Sequence, residues 1–380
     1  MQRHAGLDFI RAAAIVLVMI YHASLFDLIS SDWTFVAFGW MGVDLFFVLS
    51  GFLVAGQLLQ PVAQGQSPDF TQFFMRRVLR TLPAFLAMLA VYFSVPAWRE
   101  RPDIQPFWQF LTFTQNLFIR LDTFKAFSHV WSLCVEEQFY VILPLALLYL
   151  RRRPSATIVV SLLLGLCLAG MVLRGTLWLE AVGHPLGALH GTPDPRAYLE
   201  WIYYPTWSRL DGLLAGIALA LIRVFRPGWW RELERRSGRI TLVGVGGLYA
   251  SIAFFGGQVA PFWPVVLGYP MLAISLAMLV AAAAMPHSTL GRLQVPGAQS
   301  LAIGAYSLYL SHKMVFHGVK VAAGGAGHAG PIGLAVALCL AVAAGALLYF
   351  CVERPFLVLR ERIANGNALA SDTGKVARFG

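Results

Sequence analysis

Histidine and paired carboxylates are the side chains best suited to moving a proton near neutral pH, and this sequence sets both inside apolar surroundings. His22 closes the run AAAIVLVMIYH, and Glu136 and Glu137 stand side by side in HVWSLCVEEQFYVILP. A carboxylate beside an imidazole raises its basicity and fixes its tautomer, which makes a general base. Neighbours on a helix point about 100° apart, so the two glutamates cannot share one direction. One is expected to serve catalysis or to position His22, the other to meet an arginine, with Arg209 the candidate. Asp44 in WMGVDLFFVLSGF, and Arg209 with Asp211 in RLDGLLAGI, are further ionisable groups in apolar stretches. The plain alternative makes His22 a satisfied interior residue and the glutamates structural. No GxSxG string occurs, which favours direct base-catalysed transfer over a covalent serine enzyme. Ser50, beside Gly51 in LSGF, reads as a helix-packing residue.

A second chemistry is anion binding. FFMRRVLRTLP places Arg77 and Arg80 three apart on one helical face, with Arg76 adjacent. Guanidinium groups grip phosphate through two parallel hydrogen bonds. Setting topology or touching anionic lipid would need the same residues.

The elements that must position these groups are membrane helices. The chain has 380 residues, of which 58% are hydrophobic and 13% charged, and its mean hydropathy is +0.66. Soluble domains carry roughly 25% charged residues. Apolar stretches near the ~20 residues that cross a bilayer recur from end to end, so the fold class expected is all-α and polytopic. Ten spans fit, at about 7–28, 35–58, 80–96, 131–150, 156–173, 206–224, 240–257, 264–285, 300–319 and 331–352. The segment 105–118 is too short and amide-rich to span, and reads as interfacial or re-entrant. A net charge of +10 would suggest nucleic acid in a soluble protein, but here the arginines sit in short loops. Arg76, Arg77 and Arg80, then Arg151 to Arg153, the cluster from Arg223 to Arg239, Arg292, and Arg354, Arg360 and Arg362 follow the even-numbered spans. The positive-inside rule then puts both termini in the cytoplasm. The loop 97–130, with Arg99, Arg101, Arg120 and Lys125, dissents. The four cysteines lack CxxC spacing, so neither disulfides nor a metal site is expected.

On that topology the ionisable groups sort by depth. His22 lies about 22 Å along the helix from Leu7, near the outer face; Asp44 falls about half a helix deep, Glu136 and Glu137 about one turn in, and Arg209 and Asp211 open the sixth span. Arg11, Arg76, Arg77, Arg80 and Arg354 ring the inner face.

The strings LDFIRAAAIVLVMIYH, WMGVDLFFVLSGFL, FFMRRVLRTLPAF, HVWSLCVEEQFYVILP, RLDGLLAGI, AYSLYLSH and VERPF occur in one order over residues 7–356. In this the chain resembles the acyltransferase family 3 integral membrane acyltransferases. The resemblance implies an enzyme of the bacterial cytoplasmic membrane that moves an acyl group, usually acetyl, from cytoplasmic acyl-CoA to a hydroxyl of a glycan or other exported acceptor. It implies His22 as catalytic base, Arg77 and Arg80 as holders of the CoA phosphates, and Glu136 and Glu137 in the active chamber. Arg76, Arg11 and Arg354 are expected to assist with CoA. Arg209, Asp211 and the later histidine, His312, are expected near the acceptor, with Asp44 in the catalytic set. Cys134 stands where serine is frequent, and Ser311 and Lys313 where tryptophans are frequent. The sequence closes soon after ERPF, so an extracytoplasmic hydrolase-like domain is not expected, and a periplasmic partner protein or a lipid-linked glycan acceptor would serve instead. Residues 1–356 then form the membrane domain and 357–380 a polar cytoplasmic tail. Acetyl-CoA is the only co-substrate expected, with no metal and no nucleic acid. Two alternatives stand: a secondary transporter of a small anionic solute, and a family member moving succinyl or longer acyl groups or acylating a small lipophilic molecule.

Overall fold

The computed structural model describes residues 4–123, 126–149, 155–183, 193–256, 261–324 and 330–363. Arg151 to Arg153, Lys125 and the tail beyond residue 363 lie outside the described residues. Within them the chain is helical, and no strand is present among the described residues. The principal helices are α1 (Ala5–Leu25), α2 (Met41–Ala63), α3 (Phe70–Ser94), α4 (Trp131–Tyr149), α5 (Ala156–Leu177), α6 (Asp211–Phe225), α7 (Pro227–Arg235), α8 (Ser237–Phe255), α9 (Tyr269–Ala284), α10 (Ala298–Ala322) and α11 (Gly330–Leu348).

Among the described residues, eight helical stretches are long and apolar enough to cross a membrane, with α6 and α7 forming a further pair bent by 107°. The chain is therefore a multi-pass membrane protein. α10 is not among the eight: its 25 residues interleave Ser307, Ser311, His312, Lys313 and Lys320 with apolar ones. The segment expected to be interfacial holds only a short helix, Phe107–Leu111, and the 3-10 turn Gln115–Leu117.

Local chemistry sets the helix ends. Asp69 caps α3 by accepting the backbone N–H of Gln72 at 2.8 Å, so the helix begins at Phe70 and carries all of FFMRRVLRTLP within it. Ser155 caps α5 in the same way. α6 stops before Pro227, which opens α7. Gly256, at φ +66, closes α8. The last helix runs on past the boundary expected at 356, to Ile363. All four cysteines are free.

The residues divide into two compact units. The first comprises residues 1–25, 30–67 and 100–303, and the second 26–29, 68–99 and 304–380. At the centre of the first, α2 packs along α6 through glycines. A Cβ on Gly216 would lie 2.3 Å from the Val48 carbonyl oxygen, and one on Gly51 2.3 Å from that of Leu213. Gly51, rather than Ser50, is the residue of LSGF that lets the backbones meet. Gly216→Ala is accordingly expected to lower the thermal unfolding midpoint in detergent, overpacking of this kind costing about 1–3 kcal/mol. Gly56→Ala, whose Cβ would meet nothing within 4 Å, should leave the midpoint unchanged or raise it. Equal midpoints for both variants would disprove the close-approach account.

Candidate active site

His22 lies in the last turn of α1 and is half-buried. A second imidazole faces it. His129, in the 3-10 turn Ser128–Val130 that leads into α4, sits edge-on to His22 with ring centroids 6.1 Å apart and planes at 71°. It is only 2% exposed. The loop before it is held firmly. Phe127 adopts a left-handed φ of 57°, its N–H donates to Glu100 Oε1 at 3.0 Å, and its ring packs edge-on to His129 at 5.2 Å and against Phe110 at 5.9 Å. A left-handed phenylalanine is uncommon and persists where its surroundings over-determine it.

The helix that follows carries the two glutamates, both half-buried. Tyr140 Oη donates to Glu136 Oε2 at 2.7 Å and lies 3.0 Å from Ser50 Oγ on α2. With the phenol proton given to Glu136, Ser50 donates to Tyr140. Gln138, one residue beyond Glu137, donates to the Phe113 carbonyl at 2.7 Å and to Asn116 Oδ1 at 3.1 Å, and Thr206 donates to its carbonyl oxygen at 2.5 Å. α4 is thereby tied to the amide-rich segment before it and to the approach to α6.

Asp44 lies in the first turn of α2, shallower than the half-helix depth expected, because the helix begins at Met41 rather than 35. Both its carboxylate oxygens accept from Arg209 Nη2, at 2.8 and 2.9 Å. The guanidinium lies 4.4 Å from the Tyr203 ring centroid and 4.3 Å from that of Tyr269, and its Nη1 donates to Tyr269 Oη at 3.2 Å. Burial pushes the Tyr203 phenol well above its ordinary range, so it faces the cation as a neutral ring. Asp211 does not pair with its neighbour Arg209. Its oxygens accept from Arg174 Nη1 and Nη2 at 2.7 and 3.0 Å, and the same guanidinium donates to the carbonyls of Ser208 and Val266 at 2.8 and 3.3 Å. All four charged groups are buried.

The remaining expected residues divide between the units. Arg11, in the first, bridges to Asp8 at 3.5 Å. Arg76, Arg77 and Arg80 lie on α3 in the second, where the Arg77 guanidinium stands over Phe73 at 5.8 Å. Arg354 stands over Phe350 at 5.7 Å. His312 is fully buried, with Nδ1 3.0 Å from the Leu308 carbonyl one turn back and its ring edge-on to Phe316. Among the described residues, no group of three or more His, Cys, Asp or Glu side chains could hold a metal ion.

Two functional candidates escaped the reading by residue type. Arg174 lies one residue past the end expected for the fifth span; the available signal was a cation in a long apolar run, which demands an acid. His129 opens the string HVWSLCVEEQFY, and the signal was a histidine at the head of the helix that carries the glutamates.

What the fold and these groups define so far is a class: a multi-pass helical membrane protein that keeps ionisable side chains inside its helix packing. Residues 4–351 match the Acyl_transf_3 family model, described as an acyltransferase domain, and the chain belongs to that family. That description is of an acyltransferase domain and not of a carrier. The chain is 28% identical over 326 residues to the peptidoglycan O-acetyltransferase OatA of Listeria monocytogenes, a match covering 81% of this chain and 48% of that protein. It is 25% identical over 328 residues to the O-acetyltransferase OatA of Staphylococcus aureus, covering 81% and 49%. The chain thus spans about half the length of the curated relatives it matches. No solved structure matches it.

Removing one member of a buried ion pair strands the other charge, at about 3–5 kcal/mol. Asp44→Leu and Arg209→Met should each lower stability by that order, while the double variant Asp44→Leu/Arg209→Met should cost clearly less than the sum. Chemical or thermal unfolding in detergent measures the cycle, and strict additivity would mean that the two groups do not act as a pair.

Proposed function

We propose that this chain transfers an acyl group, acetyl in the first instance, from acyl-CoA to a hydroxyl of a cell-envelope glycan. The observation that carries the reading is the placement of His22 edge-on to the buried His129, at the head of the helix that bears Glu136 and Glu137. Family membership and the names of the two relatives support the reaction class, and the name of the Listeria relative supports the glycan acceptor.

His22 acts as the general base. It takes the proton of the acceptor hydroxyl, the oxygen attacks the thioester carbonyl, and the carbon–sulfur bond breaks as the ester forms. The CoA thiolate leaves and takes up the proton from the imidazolium, so atoms and charge balance. His129 and the α4 glutamates hold and polarise His22. Asp44 serves at one remove: both its oxygens are engaged by Arg209, so it positions the start of α2 rather than meeting the imidazole. Arg209 and Asp211 likewise shape the acceptor region from within their ion pairs. In the second unit the donor's phosphates are held by Arg77, Arg80 and Arg76; Arg354, expected to assist, stacks on Phe350 instead. Arg11, on the first unit, is a separate basic group for the donor, and His312 is assigned to the acceptor. The setting proposed is the bacterial cytoplasmic membrane with the donor on its inner side, and the acceptor is a glycan, lipid-linked or brought by a periplasmic partner.

General-base catalysis is worth roughly 10²–10⁴ in rate, so His22→Ala should lower acceptor-dependent release of free thiol from acetyl-CoA by at least about 10²-fold with the KM for donor little changed. Arg77→Gln/Arg80→Gln should instead raise that KM, by about tenfold or more for each charge-assisted hydrogen bond removed. The assay is thiol release by the purified chain in lipid with membrane glycan extract. Normal turnover in His22→Ala would remove the core of the mechanism.

A further inference from the structure

The donor reading leaves open what completes the arginine group of the second unit. Two hydrogen bonds fix what stands beside it. Tyr306 and Ser307 are consecutive on α10, yet they reach different helices: Tyr306 Oη donates to the Thr81 carbonyl at 2.8 Å, and Ser307 Oγ donates to Glu353 Oε2 at 2.6 Å. Thr81, the residue after Arg80, and Glu353 therefore lie at nearly the same level. Glu353 is 3% exposed, and the chain continues beyond it as helix to Ile363.

Arg360 follows Glu353 by seven residues, two turns on along the same face and about 10 Å along the axis. Arg76 and Arg77 precede Thr81 by about one turn of α3. The electrostatic partners of Arg360 are Arg80, then its neighbour Glu361, then Arg76 and Arg77, and those of Glu353 include both Arg80 and Arg360. From their shared level at Thr81 and Glu353, the two helices thus carry their basic residues towards the same end of the unit.

Among the described residues named here, four guanidinium groups stand with two carboxylates, Glu353 and Glu361. Glu353 is already hydrogen-bonded to Ser307, and Glu361 is 70% exposed and 3.8 Å from Arg360. The Arg360 side chain is only 25% exposed, although three other guanidinium groups act on it. Like charges held together and partly removed from water repel, and an anion of several charges relieves that repulsion. CoA carries three phosphate groups, which matches. Arg354 is turned elsewhere. One residue after Glu353, and so about 100° round the helix, it stacks on Phe350 and lines a separate cavity of about 440 Å³ with Val358, Leu359 and Arg362.

We propose that Arg360 joins Arg76, Arg77 and Arg80 in one phosphate-binding cluster, and that the CoA phosphates are its ligand. The proposal rests on the acyl-CoA reading above. The test is calorimetric titration of CoA into the purified chain in nanodiscs of phosphatidylcholine, which removes competing anionic lipid. Arg360→Gln should weaken CoA binding about tenfold or more, with Arg360→Lys retaining a large part of the affinity and Arg362→Gln staying within about twofold of wild type. A flatter dependence of affinity on salt should accompany the loss in Arg360→Gln. Monodisperse elution and an unchanged unfolding midpoint establish that the variants are folded. If Arg77→Gln weakens binding and Arg360→Gln does not, the cluster ends at α3 and the inference is overturned while the donor reading stands. If wild type binds CoA and neither variant weakens it, or if wild type binds no CoA, the donor reading falls and the inference with it.

Discussion

Two buried ion pairs meet at the head of α6, and the first unit is organised around them. Arg209 and Asp211 are two residues apart, but each turns to a different partner: Arg209 to Asp44 at the start of α2, Asp211 to Arg174 near the end of α5. A charge buried away from water costs several kcal/mol, and its partner offsets that cost only when the geometry is close and the remaining donors are used. Here they largely are. Each pair is joined by two hydrogen bonds, and the two guanidinium groups donate further to Tyr269 Oη and to the carbonyls of Ser208 and Val266. The consequence is directional: α6 can begin only where α2 and α5 both reach it. That start in turn sets the register in which Gly212 and Gly216 face Phe47, Val48 and Gly51, an approach too close for any side chain.

The same constraint decides which acids remain for chemistry. As carboxylates in apolar helices, Asp44 and Asp211 are by residue type candidates for catalysis or for binding substrate. A carboxylate with both oxygens on one guanidinium is committed, because moving it towards a substrate would strand a buried cation. The group that faces His22 is instead at the start of α4, where His129 stands edge-on and Glu136 and Glu137 follow about two turns on. The tie from Ser50 through Tyr140 to Glu136 joins that end to α2, so the ion pairs and the histidine pair share one scaffold.

The sequence made the helices legible and left their partners obscure. Hydrophobic runs report where a chain can be buried, and the expected spans at 7–28, 131–150, 240–257 and 264–285 lie within a few residues of the helices found. They fail where a helix end is set by hydrogen bonding. α3 begins at Phe70 because Asp69 caps it, well before the apolar run expected from 80, and its arginine-rich first turns look like a loop to any measure of hydropathy. α6 begins at Asp211 rather than 206 because Thr206–Ser208 is a separate 3-10 turn. Pairing is harder still. Asp44 and Arg209 are separated by 165 positions, and nothing local distinguishes Asp44 from Glu136 or Glu137 as the partner of Arg209. The close approach of α2 and α6 makes that choice, and it rests on glycines whose role emerges only when two helices are laid together.

The two units apply one principle to contrary effect. In the first, cations surrounded by rings and acids are closed off from water, and their hydrogen bonds are largely satisfied within the protein. In the second, Glu353 is a buried acid, and it is engaged by Ser307 while the guanidinium groups of Arg80 and Arg360 lie within its field. A satisfied buried pair fixes structure and gives nothing to a ligand. An excess of partly covered cations does the reverse, since its electrostatic energy falls when an anion arrives. Acid-rich and arginine-rich regions are thus different instruments. On the function proposed here, the first would hold an imidazole in place for proton transfer, and the second would give a polyphosphate donor somewhere to bind.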